Sequence, residues 1–221
     1  MDLLLNKVRQ ANSLQTNRLD TDKFRDKVTA RFAPFLEAQL LDIQSVLSKF
    51  DLMDTCIWSS AWLNEFTVHQ IPRSFTLVEV EKDAAEVVFY HLQDCGYKAV
   101  FLLRTKNDET LLDRYIFGAD NPIIIRKIIT KSPTRTLFDA PRKTNITIPR
   151  LEKILVDLYC DDNLFRAYKG TEQYHIFENA FTTYPLSIKT LLAYAQRRKK
   201  DVALRAYLNQ YFQTELKQNL Q

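Results

Sequence analysis

The chain has 221 residues, 46% of them hydrophobic, and a formal net charge of +4. This length and composition allow one large domain, or a compact domain with an appendage, and Phe and Tyr are numerous enough to fill a core. Only Gly96, Gly118 and Gly170 are glycines, which excludes dinucleotide fingerprints, phosphate-cradling loops and the glycine-containing turn of nucleotidyltransferases.

The mild positive charge permits a nucleic-acid partner without requiring one. Cys56, Cys95 and Cys160 are widely spaced with no CxxC pair, as expected of reduced, mostly buried thiols. Met1 to Gln15 carries charges throughout, and no apolar run approaches membrane-spanning length. The expectation is a soluble cytoplasmic protein.

In chain order, residues 1–50 read as a helical segment. Leu4, Val8 and Ala11 suggest a first helix, and Phe24, Val28 and Phe32 a second capped by Asp20 or Thr21. After Pro34, Leu36, Leu40, Ile43, Leu47 and Phe50 form a seam about two heptads long, suited to packing on the main domain or on a second copy of the chain. Residues 51–221 read as an α/β domain. Cys56–Trp58 is a predicted strand, and Ala61–Val68 a short helix. Ser74–Val80 and Ala99–Leu103 are buried strands around a helix that Asp83 and Glu86 start as a capping box and Gly96 ends. This unit is expected to be a βαβ pair of adjacent parallel strands within a central mixed sheet. Tyr115–Phe117, Ile123–Ile128 and Thr136–Phe138 are further predicted strands. From residue 147 the chain reads as helical. Leu151, Ile154, Leu155 and Leu158 form a core-facing stripe, Glu152, Lys153 and Asp157 lie off it, and Pro149 suits the first turn.

Two blocks carry a resemblance. One is Cys56-Ile-Trp-Ser-Ser-Ala-Trp-Leu-Asn-Glu-Phe66 with His69-Gln70; the other is Ile148-Pro-Arg-Leu-Glu-Lys-Ile-Leu-Val-Asp-Leu158. With Ile176-Phe-Glu-Asn-Ala and Leu192-Ala-Tyr-Ala-Gln-Arg-Arg-Lys-Lys they resemble the AbiEi-like antitoxin and transcriptional-regulator group of bacteria. The motif residues are Trp58, Trp62, Asn64, Glu65, His69, Leu151, Glu152, Lys153 and Asp157. The resemblance implies an abortive-infection antitoxin that also represses transcription, encoded beside a nucleotidyltransferase-like toxin. Such proteins begin with a DNA-binding winged helix, whereas residues 1–50 lack a short helix–turn–helix, a glycine-bearing wing and a basic recognition helix.

Among candidate sites, Arg126, Lys127, Lys131, Arg135, Arg142 and Lys143, with Arg150 and Lys153, form a basic stretch near Ser and Thr hydroxyls, as phosphate contacts often do. The same cations also suit a solvated rim on edge strands. Trp58, Trp62, Asn64, Glu65 and His69 outline either a pocket or core aromatics with polar residues satisfying the backbone. His91 and Cys95 have the spacing of half a zinc site, without a second half. Glu79 and Glu81 end a buried strand, but Lys82 directly follows, so the acid-x-Lys spacing of a metal-dependent nuclease is not met. Asp161 or Asp162 is expected to cap the next helical piece, and Arg197 to Lys200 suit a helix C-terminus. No nucleophile comes with an obvious His partner. The expectation is a protein without enzymatic activity or cofactor that binds a cognate toxin. A nucleic-acid-binding regulator is the alternative and a vestigial nuclease a distant one; the N-terminal helices are a candidate homo-oligomer contact.

Overall fold

The computed structural model describes residues 31–50, 54–104 and 112–213. The first two helices expected from the sequence lie outside the described residues. The third is helix α1 (Ala38–Leu47), which buries Leu40, Leu41, Ile43 and Leu47. Its seam packs on the chain's own sheet, against β1 (Thr55–Ser59).

β1 runs antiparallel to β2 (Thr76–Val80), with Cys56 opposite Glu79 and Trp58 opposite Leu77. Helix α2 (Ala85–Asp94) then leads to β3 (Val100–Leu103). β4 (Ile123–Lys127) is parallel to both β2 and β3, and the sheet order is β1-β2-β4-β3. The sheet is therefore mixed and contains the expected parallel βαβ unit, but β2 and β3 are not neighbours, because β4 lies between them. The triplet Ile123-Ile124-Ile125 is buried on both faces, which suits β4 to a central place.

Other local expectations need correction. Leu112–Ile116 is a π-helical turn, so Tyr115–Phe117 is not the strand expected. The Phe117 N–H donates to the Leu112 carbonyl, and Leu112 and Ile116 are both buried one helical turn apart. Helix α2 begins after Ala84 without a side-chain cap, so the Asp83–Glu86 capping box does not form. Its C-terminus matches the expectation: Gly96 has φ +92° and the Tyr97 N–H returns to the Leu92 carbonyl. β5 (Thr134–Asp139) pairs antiparallel with β6 (Thr144–Pro149), a strand that the sequence pattern divides between loop and helix. Pro149 consequently ends a strand instead of opening a helix.

The helical half comprises α3 (Leu151–Cys160), α4 (Thr171–Thr183), α5 (Ile188–Arg197) and α6 (Asp201–Tyr211). Strand alternation points Cys56, Trp58, Leu77, Glu79, Ile124 and Arg126 to one sheet face. The C-terminal half meets that face: Trp58 stacks on Phe165, and Lys153 of α3 reaches Glu79. Helix α3 is the central helix, packed on α4, α5 and β6. Glu152, Lys153 and Asp157, off its apolar stripe, are buried nonetheless. Tyr174, Phe177, Phe181, Tyr207 and Phe212 seal α4 against α6. Among the described residues, no helix is long and apolar enough to cross a membrane.

Candidate functional site

Charged residues converge where β2 and β4 meet α3 and the end of α5. β2 contributes Glu79 and β4 contributes Arg126, paired in register and pointing to the same face. Helix α3 supplies Lys153 and Asp157 one turn apart, with Asp161 just past its end. Arg198 caps α5, and Tyr194 lies one turn earlier. Three carboxylates thus face three cations. Glu79, Lys153 and Asp157 have no exposed surface.

Every carboxylate in the cluster is committed. Asp157 Oδ2 accepts from Lys153 Nζ at 2.6 Å and Arg126 Nη2 at 3.1 Å. Asp157 Oδ1 accepts from Arg198 Nη1 at 2.8 Å and the Tyr194 hydroxyl at 3.0 Å. Glu79 accepts from Arg126 Nε at 3.0 Å and from Lys153 Nζ. Asp161 accepts from Arg126 Nη1 at 2.7 Å and from Arg198 Nη2. Burial by itself would raise the Asp157 carboxyl, but Lys153, Arg126 and Arg198 outweigh it and hold it well below the usual carboxylate range. Asp161 is lowered in the same way by Arg126 and Arg198. Burial would lower Lys153, yet Asp157 and Glu79 more than compensate and raise it well above an ordinary ammonium. Tyr194 is raised by burial and by Asp157. The cluster is a neutral set of fixed charges at the heart of the fold.

One side of this cluster opens into a cavity of ≈ 430 Å³ at the carboxyl ends of β3 and β4. Arg126, Asp161 and Arg198 line it together with Lys127, Lys200, Leu103, Ile129 and Leu164. In open parallel sheets this end of the strands is the usual place for ligands. Among the described residues, no carboxylate lies within ion-pair reach of Lys127 or Lys200. Arg198 is buried, and its Nε has no hydrogen-bond acceptor.

The basic stretch read from the sequence does not form one surface. Arg126 is withdrawn into the ion-pair cluster, with 12% of its side chain exposed, and Lys153 is fully buried. Neither is a solvated phosphate-reading arm, because Glu79, Asp157 and Asp161 already occupy them. Lys127, Lys131 and Lys143 are exposed. Arg142 reaches Asp42 at 3.4 Å, and its backbone N–H donates to Asp139. Arg135 donates to the Phe32 carbonyl and lies beside Arg31 and Arg150 around a second, basic cleft of ≈ 670 Å³. Burial, then Arg31 and Arg150, lowers Arg135 from the usual guanidinium range.

Most motif residues act as braces. Trp58 is buried, and Trp62 Nε1 donates to the Phe35 carbonyl at 3.0 Å. Asn64 clamps Ile71 through both its backbone N–H and its carbonyl. Glu65 accepts from Tyr184, and burial first, then this carboxylate, pushes that phenol up to about 12. His69 meets Glu172 at 2.6 Å. Leu151 is core, and Glu152 accepts from the Ser187 N–H at 3.0 Å. Glu81 accepts from the Asp54 N–H, and His91 and Cys95 approach to 3.8 Å. Asp161 turns into the cluster, and Asp162 pairs with Lys169 at 2.7 Å, so neither side chain caps the turn at Arg166–Tyr168.

Arg198 and Tyr194 are partners of Asp157 that sequence reasoning misses. The available signal is the pair of polar residues at positions 153 and 157 of a helix whose other positions are almost wholly apolar. No curated protein and no solved structure matches the chain. Residues 2–214 match the family of unknown function DUF6577, and the chain belongs to that family.

Proposed function

We propose that this chain is a non-enzymatic macromolecule-binding protein of the antitoxin and regulator type, acting in the cytoplasm on a nucleotidyltransferase-like toxin. The observation that carries this reading is the open edge of the sheet. Among the described residues β3 pairs only with β4, leaving its outer side unpaired. Beside it, Val87 and Tyr90 of α2 are more than half exposed, and Phe89, Tyr90, Phe101 and Leu102 line a shallow groove. An apolar groove along an unpaired strand suits a protein that adds a strand and buries aromatic anchors. The likeness of the two sequence blocks to the antitoxin group points the same way. Against catalysis, the carboxylates Glu79, Asp157 and Asp161 are spent on cations of the same chain rather than open to a substrate.

Co-expression with the product of the neighbouring gene, followed by gel filtration, tests the proposal. A complex that survives raised salt and is abolished in Val87→Asp/Tyr90→Asp is expected, since apolar contacts are little screened. A neighbour that never co-elutes, or a complex indifferent to both substitutions, refutes the reading.

A nucleic-acid-binding regulator is the second reading, favoured by the cleft that Arg31, Arg135 and Arg150 line with a single carboxylate, Glu152, which pairs with Arg150. Arg135→Gln/Arg150→Gln should then weaken DNA or RNA binding and lower the log–log salt slope by about 0.7–0.9 for each phosphate no longer neutralised.

A further inference from the structure

We infer that the basic cleft is one end of a longer track for a nucleic-acid backbone, which continues from Arg150 past Lys131 to Arg197 and Lys199 at the end of α5. The inference rests on the second reading above and extends it to residues outside the cleft.

Two hydrogen bonds join segments that are distant in sequence. The Arg150 N–H donates to the Pro133 carbonyl at 2.9 Å, which sets the start of α3 beside the loop between β4 and β5. Two residues earlier in that loop, the Lys131 carbonyl accepts from Arg197 Nη1 at 2.8 Å. Chain reach keeps Lys131 within about 7 Å of Pro133, so the loop bridges the cleft and the last turn of α5. Lys199 follows, its N–H returning to the Gln196 carbonyl at 2.9 Å. Lys131, Arg150, Arg197 and Lys199 are all exposed.

Little in the band neutralises these cations. From Lys127 to Arg150 the sequence holds one acid, Asp139, which pairs with Arg142, and from Pro185 to Lys200 it holds none. Among the described residues no carboxylate lies within ion-pair reach of Lys131, Arg197 or Lys199. Glu152 already accepts from the Ser187 N–H and pairs with Arg150. Asp201, the first acid after Lys199, is half-buried in the opening turn of α6, where the helix N-terminus favours it.

The arrangement discriminates among anionic partners. Cations spaced along a loop, rather than converging on one point, suit a chain of phosphates better than a single small anion. Arg197 has one nitrogen fixed on the Lys131 carbonyl, which leaves the rest of its fork for a phosphate. The hydroxyl of exposed Thr130, in the same loop, adds a neutral donor of the kind that phosphate contacts use. A protein partner would need apolar anchors, yet no large apolar side chain is exposed from Ile129 to Arg135 or from Gln196 to Lys200. The same two stretches offer no exposed aromatic ring on which a base could stack. Contact is therefore to the backbone and independent of sequence.

Fluorescence anisotropy on the full chain tests this, with two labelled single strands of unrelated sequence, the duplex of one of them, and polyglutamate as a competitor without phosphates. Lys131→Gln/Arg197→Gln should weaken binding of both strands alike. It should also lower the log–log salt slope by about 1.4 on single strands and about 1.8 on the duplex, for two phosphate contacts at about 0.7–0.9 each. Lys131→Glu and Lys199→Gln leave the Arg197 bond to the backbone in place, and each should lower affinity even if the double variant unfolds. Wild-type binding in these variants, with binding lost in Arg135→Gln/Arg150→Gln, would overturn the track and leave the cleft reading standing. No binding by the wild-type chain at low salt would sink both. A loss confined to one of the two sequences, or displacement by polyglutamate as effective as by unlabelled strand, would also overturn the track.

Discussion

Asp157 accepts four hydrogen bonds, from Lys153, Arg126, Arg198 and Tyr194, which uses the full acceptor capacity of a carboxylate. Replacing it with Asn keeps the shape but leaves three cations to two carboxylates around a position that has no exposed surface. An uncompensated buried charge of this kind costs about 3–5 kcal/mol. For a chain of this size, Asp157→Asn should lower the melting temperature by roughly 6–20 °C. Lys153→Met/Asp157→Leu removes one charge of each sign and should be less destabilising than Asp157→Asn, as scanning calorimetry would record. A double variant weaker than the single would mean that the pairing is not what stabilises this region. The sequence offers Lys153 and Asp157 as polar interruptions of an apolar helix, which identifies the residues but not their burial. Their partners stand at positions 79, 126 and 198, far along the chain, and no local pattern records such a meeting. Arg126 illustrates the cost of reading charge by proximity in sequence: grouped with its basic neighbours it resembles a phosphate arm, whereas strand alternation turns it inward while Lys127 turns out.

At the scale of elements, periodicity is legible where one face alone is buried and ambiguous elsewhere. Helices α2 and α5 follow from their stripes, and Ser187 caps α5 by accepting from the Thr190 N–H. β6 escapes such a reading although Ile146 and Ile148 alternate with Asn145 and Thr147, because Pro149 fits the first turn of the following helix equally well. Tyr115–Phe117 reads as a strand from its apolar and aromatic run alone, whereas the spacing of buried Leu112 and Ile116 is that of one helical turn. Gly170 is a place where composition and conformation agree. It precedes α4 with φ +65° and ψ −129°, in a region that residues with a Cβ seldom enter. Nothing lies within 4 Å of a Cβ built there, so Gly170→Ala would strain the backbone without a clash. It should cost about 1–3 kcal/mol. Equilibrium urea unfolding measures this, and a variant as stable as wild type would mean that the turn relaxes to another conformation.

For the whole molecule, mixed α/β content with a βαβ unit and a helical C-terminal half follows from the order of apolar patterns. Strand order does not, because inserting β4 between β2 and β3 changes no local periodicity; only the burial of Ile123–Ile125 on both faces hints at it. The same central region should govern how stability varies with pH. Asp157 and Asp161 are held below the ordinary carboxylate pKa in the folded chain, so their contribution is present above the unfolded carboxylate value of about 4 and is lost as pH falls below it. Lys153 is raised, so its contribution is present below about 10 and declines as pH climbs through its folded value. Buried Cys56 and Tyr194 are raised too, mainly by burial, and add to the alkaline loss from about pH 8.5 and 10 respectively. The urea midpoint should therefore be flat from about pH 5 to 8, fall steeply below about 4, and decline more gradually on the alkaline side. Lys153→Met/Asp157→Leu should shorten the acid limb, because the carboxylate with the most cationic partners is gone. An acid limb of unchanged depth in that variant would move the origin of acid lability away from the cluster, to carboxylates elsewhere such as Glu172, whose acidity His69 also strengthens by a hydrogen bond.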